Sequence, residues 1–200
     1  MLKTSLAAAT ALGALATATP AAAQFAPSGP RVELQLGSET DLVDLGTEDY
    51  DLSGTYLGFG AGYDFSLGVV ALGIDVEAGQ SNIEEDVAFE DVDGFVTGVI
   101  ENDTDLYIGG RLTVPVGRLF DLYAKAGYTN LKTVYDLAID DGETVTYELI
   151  EDNEGGYRLG AGGRYYIGRG TYLGGEYRYS RYEDSEINKH QAVATLGIRF

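Results

Sequence analysis

The sequence predicts an all-β fold: eight antiparallel strands closed into an up-and-down transmembrane β-barrel. Three observations lead to this. The run from Lys189 to Phe200 splits with a period of two: Phe200, Ile198, Leu196, Ala194 and Ala192 form an apolar row, and Arg199, Gly197, Thr195, Val193 and Gln191 form a row that is mostly polar or small. That period belongs to a strand with one apolar face. Seven earlier stretches repeat the split, joined by connections that are alternately long and short. Finally, the strand charges gather opposite the apolar row, which is the arrangement a lipid-facing wall requires, because a Lys or Arg on the lipid side at mid-depth costs about 2–4 kcal/mol.

The beginning of the chain reads as an export signal. Met1-Leu2-Lys3 supplies a positive start, Leu6 to Ala18 an Ala/Leu-rich run too short to span a bilayer, and Ala21-Ala22-Ala23 the small residues of a cleavage site. Cleavage is expected after Ala23, which divides the chain into a signal peptide, 1–23, and a barrel domain, 24–200. Roughly 177 residues then remain, enough for one domain. There is no Cys, so disulfide staples are excluded. The 28 Gly and 15 Tyr, with only four Pro and no low-complexity tract, suit many tightly packed strands better than disorder.

The elements follow in order. After a lead containing Pro27, Gly29 and Pro30, strand one (31–38) alternates Val32, Leu34 and Leu36 with Glu33, Gln35 and Gly37. Strand two (53–64) sets Leu57, Phe59, Ala61 and Tyr63 against Tyr56, Gly58, Gly60 and Gly62, and strand three (69–80) sets Val70, Leu72, Ile74 and Val76 against Gly73, Asp75 and Glu77. Strand four (103–114) has Leu106, Ile108, Leu112 and Val114 opposite Tyr107, Gly109, Arg111 and Thr113. Strand five (121–131) has Leu122, Ala124, Ala126 and Tyr128 opposite Tyr123, Lys125, Gly127 and Thr129. Strand six (155–167) pairs off Tyr157, Leu159, Ala161, Tyr165 and Ile167 against Arg158, Gly160, Gly162, Arg164 and Tyr166, and strand seven (171–182) Leu173, Tyr177 and Tyr179 against Glu176, Arg178 and Ser180. Strand eight is the terminal run. The short turns are 65–68, 115–120 and 168–170. The long connections begin at Glu39, Ser81, Lys132 and Glu183; within the third, Thr144 to Ile150 is a candidate extension of its hairpin. Each strand is about ten residues, the length of a tilted membrane-spanning β-strand.

The charges sort by this map. Of the 32 Asp and Glu residues, 26 fall in the long connections (six, nine, eight and three in turn, with Asp103 and Asp105 counted at the foot of the second), against two bases, Lys132 and Lys189. The net charge of −19 therefore belongs to one end of the molecule. An acidic end excludes nucleic acid as a partner. Glu33, Asp75, Glu77, Arg111, Lys125, Arg158, Arg164, Glu176, Arg178 and Arg199 lie on the face opposite the apolar row; among strand bases only Arg181 has the outward parity. An eight-stranded barrel is just wide enough for side chains to fill, so these ten are expected to form a packed plug of ion pairs in which bases outnumber acids. The inward glycines would make room for Tyr56, Tyr107 and Tyr166. Tyr63, Phe65, Phe120, Tyr123, Tyr165 and Phe200 near the turns, and Tyr128, Tyr157, Tyr179 and Tyr182 near the long connections, suit two aromatic girdles.

These features together, from the export signal to Ile198-Arg199-Phe200, resemble the small eight-stranded outer-membrane β-barrels of bacteria: the OmpA-like transmembrane domain, the opacity-type adhesins and the porin-family surface proteins. The resemblance implies a bacterial outer-membrane location, contact with outer-membrane lipid, and a monomer. It also implies that the assembly machinery reads the C-terminal strand, with Phe200 as the assembly terminus at the periplasmic rim, beside Val32. The function expected is structural and surface-exposed: a barrel with a filled lumen anchoring four acidic extracellular loops. The alternative is a narrow cation-preferring pore. Less favoured are a soluble periplasmic ligand-binding barrel, which needs the apolar row inside, and a lipid-modifying enzyme.

No catalytic or cofactor-binding residue is assigned. Gly58-Phe59-Gly60-Ala61-Gly62 lies within a strand with no helix after it, unlike a phosphate loop. Asp91-Val92-Asp93-Gly94 fails a calcium-loop frame, which needs acids where Phe89 and Ile100 stand; loose, weak divalent binding by the acidic loops is the remaining option. One type of lipid-modifying relative uses a His with a nearby Ser on a strand. Here the single His190 is followed two positions on by Ala192, and with no second His a His-based metal site is not expected.

Overall fold

The computed structural model describes residues 26–44, 49–82, 84–91, 94–140, 145–182 and 188–200. Among these residues there are nine strands: β1 (Gly29–Asp44), β2 (Asp49–Ser66), β3 (Ala71–Ser81), β4 (Glu84–Asp91), β5 (Gly94–Pro115), β6 (Phe120–Asp140), β7 (Val145–Tyr166), β8 (Thr171–Tyr182) and β9 (Asn188–Arg199). Each of the eight wall strands pairs antiparallel with both neighbours. The sheet closes because β1 pairs with β9 and β3 pairs with β5. Closure leaves no free edge within the wall, the condition for strands to cross hydrocarbon.

The ninth strand is the departure from the predicted eight. β4 lies outside the wall and pairs only with residues 94–101 of β5. β5, β6 and β7 have 22, 21 and 22 residues. At about 3.3 Å per residue such a strand runs to roughly 70 Å, far beyond an apolar band of about 25 Å. The predicted second and third long connections are thus largely strand. They continue the wall as a sheet at the long-connection end, and residues 145–150 of the candidate hairpin extension are strand, while Thr144 lies outside the described residues. A bulge at Asp103 marks where β5 leaves the wall: Asn102 pairs with Thr133 and Thr104 with Lys132. One extra residue there bends and twists the strand.

At the other end, 67–70, 116–119 and 167–170 close the hairpins β2–β3, β5–β6 and β7–β8, with Leu67 N–H donating to Val70 C=O at 2.8 Å and Val116 N–H to Phe120 C=O at 2.7 Å. Gly68 (φ 93°) and Gly117 (φ 74°) take left-handed conformations that a side chain would resist.

Along every wall strand burial alternates with the sequence. β3 reads buried and exposed in strict alternation from Ala71 to Gln80. The exposed row is the apolar one: Leu34, Leu57, Phe59, Leu72, Ile74, Ile108, Leu159, Leu173 and Leu196 all face outward. The buried row is charged. The core of this molecule is polar and its surface apolar, the inverse of a water-soluble protein.

Candidate functional site

The interior is where the sequence concentrates its chemistry. The buried charges stack in three layers along the barrel axis, each built from strands distant in sequence.

The layer nearest the short turns holds four bases and four acids. Arg31 donates to Asp64 through Nε at 3.1 Å, reaches Glu33 at 3.4 Å through Nη1 and bonds Asp75 through Nη2. Arg111 meets Asp75 at 2.5 Å and Glu33 at 3.3 Å. Arg164 lies 3.8 Å from Glu33 and 3.5 Å from Asp121. Arg199 lies 2.5 Å from Asp64 and 3.7 Å from Asp121. Glu33 is the hub: three guanidinium groups share its Oε1, and Tyr172 donates its hydroxyl to the same oxygen at 2.8 Å.

The middle layer holds two bases and two acids. Lys125 Nζ sits 2.6 Å from both Glu77 and Glu176. Arg178 lies 3.4 Å from Glu77 and bonds Glu176. Gln35 donates to Glu77 at 3.1 Å, and Tyr123 to Glu176 at 2.7 Å.

The layer nearest the long connections holds two bases and three acids. Arg158 meets Asp105 at 2.5 Å and donates to Ser180 at 2.8 Å. Lys189 lies 3.7 Å from Glu39 and 3.5 Å from Asp41, and Gln191 donates to Glu39 at 2.7 Å.

Tyrosine rings fill the spaces between layers and lie under the cations. Arg111 stands 4.2 Å above the Tyr123 ring, Lys125 4.8 Å above Tyr107 and Arg178 5.3 Å above Tyr56. Such contacts are worth about 0.5–2 kcal/mol each. Inward glycines accommodate the rings: a Cβ on Gly58 or Gly79 would strike Tyr56, and one on Gly109 would strike Tyr107.

All ten residues singled out for the lumen lie inside, in these layers. Sequence reasoning missed seven more charges: Arg31, Glu39, Asp41, Asp64, Asp105, Asp121 and Lys189. With them, among the described residues, the lumen holds eight bases and nine acids, so the expected excess of bases is corrected to near balance. Glu39, Asp41, Asp105 and Lys189 belong to the long connections on the sequence pattern alone. Each continues the inward parity of its strand, and that continuing alternation was the available signal. Two girdle assignments are also corrected: Tyr123 and Tyr182 point inward and are buried. Of the tyrosines that glycines were to accommodate, Tyr56 and Tyr107 do face them, whereas Tyr166 packs its ring 5.5 Å from that of Tyr172. Among the described residues no group of three or more His, Cys, Asp and Glu could hold a metal ion, and no helix is long and apolar enough to cross a membrane. Val92, Asp93 and the acids of 183–187 lie outside the described residues.

A closed eight-stranded wall, apolar outside and ionic inside, now has an independent counterpart. The family model of the outer membrane protein β-barrel domain matches residues 7–200. The chain belongs to that family. By structure it is similar to Neisserial surface protein A, with a TM-score of 0.53 at 13% identity over 86% of this chain and 98% of that one. It is similar also to Ail, the attachment invasion locus protein of Yersinia pestis, with a TM-score of 0.52 at 14% identity over 87% and 100% of the two chains. A second Ail structure gives 0.51 at 13% identity, over 86% and 99%. No curated protein matches the sequence. At these identities the likeness is one of fold.

Membership places the barrel in the bacterial outer membrane, so the apolar row is the lipid-facing wall. A water-soluble barrel with that row inside is thereby excluded. Around the wall, Tyr63, Phe65, Phe120 and Tyr165 project at the short-turn end and Tyr128, Tyr157 and Tyr179 at the other, the positions of interfacial aromatic girdles. Phe200 is 74% exposed at the short-turn rim. Its neighbour differs from the expected Val32: Phe200 N–H donates to Pro30 C=O at 3.0 Å, while Val32 pairs with Ile198. β1 begins at Gly29, two residues before the predicted strand start at Arg31, and Phe200 follows the β1–β9 register to Pro30.

Proposed function

We propose that this outer-membrane barrel is a structural, surface-exposed protein: a non-enzymatic, monomeric anchor that holds acidic connections outside the cell. The observation that carries this reading is the lumen. Among the described residues, seventeen charged side chains, in layers of four against four, two against two and two against three, occupy the interior together with buried Tyr, Gln and Thr. Each ion in such a layer is held by partners in a medium of low effective dielectric, where removing one partner is costly. The layers support a plug rather than a conduit, which weighs against the cation-preferring pore that the acidic mouth alone would suggest. Purified protein in a planar bilayer is therefore expected to be silent. Sustained unit conductance, altered by Arg164→Gln or Glu176→Gln, would establish the pore instead.

The displayed end has a definite sign. Ail has been crystallised with the heparin analogue sucrose octasulfate. The long connections here keep 23 acids and one base, Lys132, once Glu39, Asp41, Asp105 and Lys189 are placed in the lumen; they would repel a polysulfated ligand, so the surface reading does not extend to that class of partner. Export by cleavage after Ala23, which lies outside the described residues, belongs to the same proposal. Intact-mass measurement of the protein from outer membranes should give a chain beginning at Gln24, and an uncut Met1 would refute the signal.

A further inference from the structure

Arg181 departs from the rule that the charges of the wall strands point inward. Arg181, near the end of β8, has outward parity and is exposed, and it makes no ion pair among the described residues. The outward residues beside it are unusually polar for a lipid-facing wall. Arg181 is in register with Asn188 on β9 and with Tyr157 on β7. Two positions inward along the strands, Tyr179 is in register with His190. The Tyr177 hydroxyl lies 2.6 Å from His190 Nδ1, and the Tyr179 hydroxyl donates to Asn188 Oδ1 at 2.7 Å. The Tyr179 and His190 rings stand 5.2 Å apart. This fixes a hydrogen-bonded platform at the level of the upper girdle, with the exposed Arg181 guanidinium above it.

Directly below the platform, toward the middle of the wall, the outward side chains become small. Gly175, Ala192 and Ala194 form a trench bounded by Leu36, Leu173 and Tyr177. A Cβ built on Gly175 would meet nothing within 4 Å. A polar, cationic head and an apolar trench beneath it have the polarity and order of a single lipid molecule.

We propose that the β7–β8–β9–β1 face binds one membrane lipid with an anionic phosphate headgroup, its phosphate on Arg181 and His190 and an acyl chain in the trench. Charge complementarity selects the occupant: a zwitterionic headgroup carries its own cation into the guanidinium, whereas an anionic one does not. The site lies on the outer wall and owes nothing to the lumen plug, so it stands whether or not the barrel conducts.

The test uses the folded chain in nanodiscs of mixed phosphatidylcholine and phosphatidylglycerol, with retained lipid counted by native mass spectrometry after release into detergent. Phosphatidylglycerol should be retained in preference to phosphatidylcholine. Arg181→Gln should reduce that preference about tenfold, the loss of one charge-assisted contact, and Arg181→Lys should restore part of it. Gly175→Leu, which fills the trench without touching the head, should lower retention of both lipids. Heat-modifiable gel mobility identifies variants that remain folded. Equal retention of the two lipids by the wild type, an Arg181→Gln variant that retains phosphatidylglycerol like the wild type, or displacement of the lipid by inorganic phosphate with no effect of Gly175→Leu would each overturn the proposal.

Discussion

Replacing Glu33 by Ala is expected to destabilise the folded barrel by about 3–5 kcal/mol, the cost of leaving buried charges without their partner. Three arginines, Arg31, Arg111 and Arg164, share its Oε1, and the Tyr172 hydroxyl donates to it. Without it the lowest layer changes from four against four to four against three. Glu33→Gln should cost nearly as much, because an amide keeps the volume but not the charge. Pairing it with Arg111→Met should recover part of the loss, since removing both members of a buried ion pair is often close to neutral. The measurement is the urea concentration at which the heat-modifiable band disappears in detergent. An unchanged midpoint for Glu33→Ala would mean that water or neighbouring acids neutralise the layer, and that the hub described here is not one.

Deleting Phe200 should lower the amount of protein assembled in the outer membrane several-fold while leaving refolded protein nearly as stable as the wild type. Phe200 lies beyond the charged layers, and its side chain is largely exposed, so its loss removes no lumen contact. Its contributions are a backbone bond to Pro30 across the closing seam and an aromatic ring at the short-turn interface. Comparing membrane-inserted yield in cells with midpoint in detergent separates the two effects. Equal yields for the deletion and the wild type would remove Phe200 from any role in assembly, whereas a large fall in midpoint would make it a stability determinant instead.

How far the fold could be read from the sequence depended on where lipid makes demands. Within the apolar band the outward row must be apolar, so Leu57-Phe59-Ala61-Tyr63 or Leu72-Ile74-Val76 declares both a strand and its facing. Beyond the band the outward row is free to turn polar. At Glu39 to Asp44 and Thr133 to Asp140 the hydrophobic alternation fades although the strands continue. The wall was therefore legible and its extensions were not. The same boundary hid part of the lumen. Glu39 and Asp41 sit on the parity of Glu33, and Lys189 on that of Gln191, yet an acidic segment without an apolar partner row reads as a connection. Asp64 and Asp121 were visible as strand acids, but at strand ends nothing in the sequence distinguishes a plugged rim from an open one. Arg31 shares the parity of Glu33, but as the first residue of the predicted strand it is assigned no face.

The layered charges also constrain the order in which the barrel can come into being. Their partners are far apart along the chain: Tyr172 and Glu33 are separated by 139 residues, Arg199 and Asp64 by 135, Gln191 and Glu39 by 152. An intermediate with β1 to β3 in place and β8 and β9 still absent would present Glu33, Asp64 and Glu39 to hydrocarbon lacking several of the cations and donors that satisfy them. Each such group is costly enough in lipid that partly inserted states should be scarcely populated. Insertion, seam closure and neutralisation of the interior would then be one cooperative event, and a half-built barrel should remain outside the bilayer until its last strand is present.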